Sequence, residues 1–232
     1  MSKAKTSVRQ GPLLDQDDAI AMSGTWRRPW IPYAIFIVIL ALVLGSGVAV
    51  GKALEANNPS ALAGCKTSTL AGPHTYLARQ PICILPNKTY TATLQTTAGV
   101  IVMKLFPENA PVTVNNFVVL AVNGYFNGLT FWDAQDWEVQ AGDPLANGRG
   151  GPGYTLPEEG TPSLSWGPGA VGMARTPGGP VNGSQFFIMK ATWPNRGPGQ
   201  VYNHFGSITT GLDKVSSIQS GDRIDTVTIK VS

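Results

Sequence analysis

Apolar residues follow two patterns along this chain. Residues 31–50 run for 20 positions without a charge, enough for a helix rising about 1.5 Å per residue to cross a bilayer core of roughly 30 Å. From Tyr90 onward the apolar positions come in short stretches separated by glycine and proline. Residues 90–95 and 100–106 alternate and are rich in β-branched side chains, with Thr97-Ala98-Gly99 between them, which predicts a hairpin. Val114, Phe117, Val118, Ala121 and Val122 recur at helical spacing over 112–123. Thr113 is placed to cap the start of that helix and Gly124 its end. Apolar runs return at 129–131, 137–140, 170–174, 185–189 and 204–209. A second short helix is predicted over 212–218, and a closing strand over 223–231. Many short strands with two helices predict a mainly β fold, a closed barrel with helices capping its ends.

Charge and composition sharpen the division. The first 52 residues carry six basic and three acidic groups, so the whole formal charge of +3 lies there. The remainder is neutral and has no basic surplus to recruit nucleic acid. Residues 1–28 are polar and aperiodic and read as a disordered cytoplasmic tail. Residues 29–51 read as a single transmembrane helix, with Trp26, Trp30 and Tyr33 at the entering interface. Arg27 and Arg28 flank its start, which by the positive-inside rule places everything after it outside the cytoplasm. A cleaved signal peptide is the competing reading, although the apolar run and the segment before it are both long for one. Residues 52–88 read as an extracytoplasmic stalk in which Cys65 and Cys83, on the oxidising side of a membrane, are expected to form a disulfide. With only His74 between them, a metal site is not expected. No cofactor is implied, and oligomeric state is not readable.

The stretch Asn182-Gly183-Ser184-Gln185-Phe186-Phe187-Ile188 joins an Asn-Gly turn signal to an apolar run, a loop entering a buried strand. Successive strand residues face opposite ways, so if one phenylalanine packs in the core the other can line a surface pocket beside Gln185. An amide placed there can both donate to and accept from a peptide backbone. The same pattern also fits an ordinary core strand with one satisfied glutamine. A hydrolase reading has little support, because His74 and His204 do not assemble a triad with Ser184.

The segments Ala110-Pro111-Val112-Thr113-Val114-Asn115-Asn116-Phe117, Gly124-Tyr125-Phe126-Asn127-Gly128-Leu129-Thr130-Phe131, Gln140-Ala141-Gly142-Asp143-Pro144, Gly150-Gly151-Pro152-Gly153-Tyr154 and Gly172-Met173-Ala174-Arg175-Thr176, followed by 182–188, occur in this order. Together they resemble the cyclophilin family of peptidyl-prolyl isomerases, in a bacterial-like form, over residues 89–232. The resemblance implies a closed eight-stranded antiparallel barrel with two capping helices and a proline-binding groove on its outer face. It implies that Gln140 and Gln185 hold the substrate backbone and that Phe187 floors the proline pocket. Met173, Ala174 and Arg175 match the segment that pairs with the extended peptide. Trp193 matches a tryptophan at the pocket rim, Trp137 stands for a pocket phenylalanine and Glu138 for a methionine. Pro194 and Tyr202 fall at further pocket positions.

One departure bears on activity. Where the family has Phe-His-Arg, with the arginine as its main catalytic group, this chain has Phe131-Trp132-Asp133 and is one residue shorter before Gln140. Asp133 therefore stands where a guanidinium is expected, and Arg149 and Arg175 are the candidate substitutes. Two functions remain open on the sequence. One is a membrane-anchored isomerase of reduced activity acting on proline-containing peptides or unfolded secreted proteins. The other is a proline-peptide binding or chaperone module with little turnover, its Asp133, Asp136 and Glu138 favouring basic segments.

Overall fold

A computed structural model describes residues 61–67, 70–72, 74–160, 165–193 and 201–232. The expected cytoplasmic tail and transmembrane helix lie outside the described residues. Among the described residues no helix is long and apolar enough to cross a membrane.

Eleven strands and two α-helices follow in chain order among the described residues: β1 (Leu70–Gly72), β2 (Thr75–Tyr76), β3 (Tyr90–Thr96), β4 (Gly99–Leu105), α1 (Pro111–Val122), β5 (Asp133–Ala134), β6 (Glu138–Ala141), β7 (Thr155–Leu156), β8 (Ala170–Arg175), β9 (Val181–Met189), β10 (His204–Thr210), α2 (Leu212–Ser217) and β11 (Ile224–Val231). The predicted hairpin is β3–β4, with Thr96 registered opposite Gly99. The two helices lie where periodicity placed them. β1 and β2 form a small separate sheet, and the other nine strands form one antiparallel sheet ordered β11-β3-β4-β10-β8-β9-β6-β5, with β7 also on β9.

The expected closed eight-stranded barrel is thus an open, curled sheet of nine strands. β5 has only two residues, too few to ladder onto β11 at the far end of the path. The gap is spanned just ahead of both strands. Thr130 bridges Arg223, the Phe131 N–H donates to the Asp222 carbonyl at 2.8 Å, and the Ile224 N–H donates to the Leu129 carbonyl at 2.8 Å. Helix α1 contacts both β11 and β9. Its Phe117 packs on Phe126 (ring centroids 4.9 Å), Phe186 (5.7 Å) and Phe205 (5.3 Å), an aromatic centre for the main core.

The ends of α1 show where local signals stop. Pro111 opens the helix, where a missing N–H costs nothing, but Thr113 is not the cap. The Glu159 carboxylate, 46 residues away, accepts from the Val112 and Thr113 N–H groups at 2.8 Å each and from the Thr113 hydroxyl at 2.7 Å. A negative charge on free N–H groups at the positive end of the helix dipole explains the choice. The other end meets expectation: Gly124 takes φ 73° and stops the helix.

The segment expected as a stalk folds onto the domain where it is described. Leu62, Cys65 and Tyr76 join the main core, and the Cys65–Cys83 disulfide is formed. The Asn115 amide oxygen accepts from the N–H groups of Cys83 (2.7 Å) and Ile84 (3.2 Å). The Asn123 amide accepts from the Thr67 N–H at 3.0 Å and donates to the Cys65 carbonyl at 2.9 Å. Asn115 on α1 and Asn123 at its C-cap thus satisfy the backbone of an irregular strap that covers the helix.

Candidate functional site

The strand alternation sorts the side chains of β8 and β9 into two sets. Phe186 and Ile188 enter the main core, while Phe187 and Met189 enter a second, smaller cluster on the opposite face. On β8, Val171 and Met173 face the main core and Ala170 and Ala174 the second cluster. Met173, expected in the groove, is therefore a core residue, only 1% exposed. Its backbone remains on the groove strand, where its N–H donates to the Asn203 carbonyl at 3.1 Å.

The second cluster is an aromatic box. Phe187 lies at its base, with Trp193 (5.5 Å) and Tyr202 (5.7 Å) edge-on to its ring and Trp166 tilted across it at 5.3 Å. Trp137 packs against Trp193 at 5.2 Å. Gly172 makes this box possible: a Cβ there would come within 2.4 Å of the Phe187 ring and 2.6 Å of Trp166. Trp166 is backed in turn by buried His204, ring centroids 4.5 Å apart. Sequence reasoning missed Trp166, which sits beside glycines and prolines in a stretch that reads as a surface loop. Pro194 lies outside the described residues.

Around the box runs an open groove of about 510 Å³, lined by Trp137, Glu138, Gln140, Ala174, Arg175, Gln185, Phe187, Trp193 and Tyr202, all expected there, and also by Trp132, Arg149, Thr176 and Asn182. Gln140 stands opposite Phe187 in the β6–β9 register. Gln185 is held on two sides. Its side-chain NH2 donates to the Gly150 carbonyl at 2.7 Å, and its backbone N–H donates to the Asn182 amide oxygen at 3.0 Å. The scaffold behind it is polar and satisfied: Tyr125 donates to the Ser184 hydroxyl (3.0 Å), which donates to the Gly142 carbonyl (2.7 Å). Tyr154 donates to Asn116 (2.7 Å), which donates to the Gly183 carbonyl (2.7 Å). Such a network fixes the strand entering Gln185.

Four charged positions decide the electrostatics. Asp133 lies opposite Gln140 across β5–β6, but its carboxylate accepts from Gln135 at 2.7 Å and it does not line the groove. Arg175 lines it, yet its guanidinium is spent. It donates to Glu158 (2.5 Å), to the Val201 carbonyl (3.0 Å) and twice to the Gly179 carbonyl. Arg149 is exposed, and among the described residues its guanidinium has no partner. Glu138 is 3% exposed. Burial, with the charge of Asp133 adding to it, pushes its carboxyl up to about 7, against the opposing hydrogen bond from Gln140. The described residues include no cluster suited to a metal ion.

Comparison with known proteins identifies the family. The sequence model of the family described as cyclophilin type peptidyl-prolyl cis-trans isomerase/CLD matches residues 91–231. The chain is 39% identical over 130 residues to peptidyl-prolyl cis-trans isomerase B of Bacillus subtilis, covering 55% of this chain and 88% of that protein. It is 36% identical over 153 residues to the peptidyl-prolyl cis-trans isomerase of Helicobacter pylori, covering 62% and 90%. Among solved structures, a Cryptosporidium parvum cyclophilin type peptidyl-prolyl cis-trans isomerase superposes with a TM-score of 0.54 at 25% identity, covering 61% of this chain and 97% of the other. The same protein in the presence of the dipeptide Ala-Pro gives 0.51 at 27% identity, covering 61% and 98%.

Proposed function

The chain belongs to the cyclophilin-type peptidyl-prolyl cis-trans isomerases, and we propose that it turns X-Pro bonds in unfolded secreted proteins from the outer side of a membrane, at a reduced rate. The observation that carries this reading is the aromatic box over Phe187 set beside Gln140 and Gln185 in one groove. The apolar run at 31–50 and its flanking arginines support the anchor, and the formed disulfide suits an oxidising compartment.

The peptide bond before proline resists rotation by about 18–20 kcal/mol because its C–N bond has double-bond character. No acid, base or nucleophile is required. In this reading the box holds the proline ring, and Gln185 and Gln140 grip the flanking backbone. The preceding carbonyl then rotates in the groove. Conjugation is lost in the twisted state, where the proline nitrogen becomes pyramidal and basic, and any donor aimed there acts mainly on the transition state. The family arginine is absent and Arg175 is committed elsewhere, which leaves Arg149 as the uncommitted groove cation among the described residues. Losing one preorganised donor costs roughly 10²–10³ in rate, hence the reduced activity.

A second reading is favoured by the position of Asp133 and the engagement of Arg175: a module that binds proline segments and scarcely turns them over. Exchange NMR on an Ala-Pro peptide with the full chain in mild detergent separates the two. Exchange above background that is lost in Gln185→Ala supports the isomerase. Saturable peptide binding with background exchange sinks it and leaves the binding module.

A further inference from the structure

The groove contains a buried acid that the isomerase reading does not use. Glu138 and Gln140 are alternate residues of β6, so both face the groove, and the Gln140 Nε2 donates to the Glu138 Oε1 at 2.6 Å. That bond uses one of the two N–H donors of the Gln140 amide and turns its NH2 toward Glu138. One N–H of the Gln185 amide is likewise engaged by Gly150. Among the described residues neither glutamine oxygen accepts a hydrogen bond, so both remain as acceptors for a bound peptide, while each NH2 has one of its two N–H groups engaged inside the protein. No cation pairs with Glu138 among the described residues. Among the described residues, Asp133 on β5 is the charged group that acts on it. Met189 stands opposite it on β9, and the next residue, Lys190, donates to the Ile218 carbonyl at 3.2 Å.

We infer that Glu138 is a positioning residue whose carboxylate fixes which end of the Gln140 amide faces the substrate, so that gain of a proton by Glu138 reverses Gln140 from acceptor to donor. An ionised carboxylate only accepts and holds the Gln140 NH2. A protonated one carries an O–H that donates to the Gln140 oxygen, which frees the NH2 for the groove. Substrate N–H groups are gripped by the first state, and substrate carbonyls by the second. Burial places the changeover near neutral pH. This inference rests on the isomerase reading for its effect on turnover, but not for the hydrogen bond itself.

The test therefore has two readouts. In the full chain, the ¹⁵N resonance of the Gln140 side-chain amide is followed from pH 5 to 9, beside Glu138→Gln and Glu138→Met. A single titration step in the native protein, absent from both variants, is expected. An amide that does not move, or moves equally in Glu138→Gln, overturns the inference whether or not the protein turns over. In the peptide exchange assay, Glu138→Met lowers kcat/KM about tenfold at pH 8, the loss of one charge-assisted bond. Glu138→Gln, which keeps an acceptor, restores most of it with a flat pH profile. Equal kcat/KM and equal pH profiles in all three proteins would also overturn it. Background exchange in the native protein, with the amide still titrating, would sink the isomerase reading and leave the inference standing.

Discussion

The ring of Trp166 lies 5.3 Å from that of Phe187, tilted by 32°, and both rings occupy the space above Gly172 where a side chain would be. The proline box therefore depends on a residue without a Cβ. In Gly172→Ala the new methyl meets two buried aromatic rings rather than the mobile end of a side chain, so the rings must move. Overpacking of this kind costs about 1–3 kcal/mol. The expected outcome is a folded protein with a lowered Tm and a loss of proline-peptide affinity larger than the stability change alone explains. Thermal melts and a titration followed by tryptophan fluorescence check this. Unchanged affinity would show that the box is not the proline pocket.

The uneven legibility of this site has physical causes. Gln185 and Phe187 were readable because period-2 alternation fixes their faces, whereas Gln140, Trp193 and Tyr202 were placed by the family resemblance carried in the order of the motifs. Trp166 was not, because its partners Phe187, His204 and Tyr202 come from β9, β10 and the approach to β10, and nothing local marks a loop tryptophan as part of a box. Glu159 was missed as the cap of α1 for the same reason. Met173 was misassigned because a motif names a segment, whereas alternation decides which of its residues face the groove. The stalk expected over 52–88 was a reading of composition. Composition does not reveal that Asn115 and Asn123 offer an irregular backbone the hydrogen bonds it needs.

Arg149 and Arg175 line the same groove but are predicted to fail differently. Arg175 has a side chain 12% exposed and bonded to Glu158 and two carbonyls. Its removal leaves acceptors unpaired, at about 1–3 kcal/mol. Arg149 is exposed with an uncommitted guanidinium, so Arg149→Ala leaves stability within about 0.5 kcal/mol while lowering kcat/KM by roughly tenfold or more if it donates to the twisted bond. Denaturant unfolding and peptide exchange on both variants separate the roles. Full turnover in Arg149→Ala would show that this guanidinium plays no part in isomerisation.

The Cys65–Cys83 disulfide closes a strap with a sequence separation of 18. Its removal is expected to cost about 3 kcal/mol on the chain-entropy account. Reduction, or Cys65→Ser with Cys83→Ser, should lower the denaturation midpoint. The first amides to lose exchange protection should be those of Cys83 and Ile84, which donate to Asn115, and of Tyr76, which donates to the Pro152 carbonyl at 2.8 Å. Retention of protection in the reduced protein would mean that the asparagines hold the strap unaided.

Glu138 also sets the direction of a stability change with pH. Its carboxyl is pushed up to about 7 from an ordinary 4.5, so between those values the native state holds a proton that the unfolded chain has released. The slope of unfolding free energy follows the protons bound unfolded minus those bound native, which is negative here, so stability falls as pH rises. The contribution is fully present below about pH 4.5 and lost as pH rises through 7. At 1.36 kcal/mol per pKa unit it amounts to about 3 kcal/mol. Glu138→Gln does not titrate, so the difference in unfolding free energy between it and the native protein isolates this group from every other carboxylate. Urea unfolding at pH 5, 6, 7 and 8 should show the native protein losing ground to Glu138→Gln at each step up. A constant difference across that range would mean that Glu138 is ionised throughout and that the Gln140 bond, rather than burial, dominates its environment.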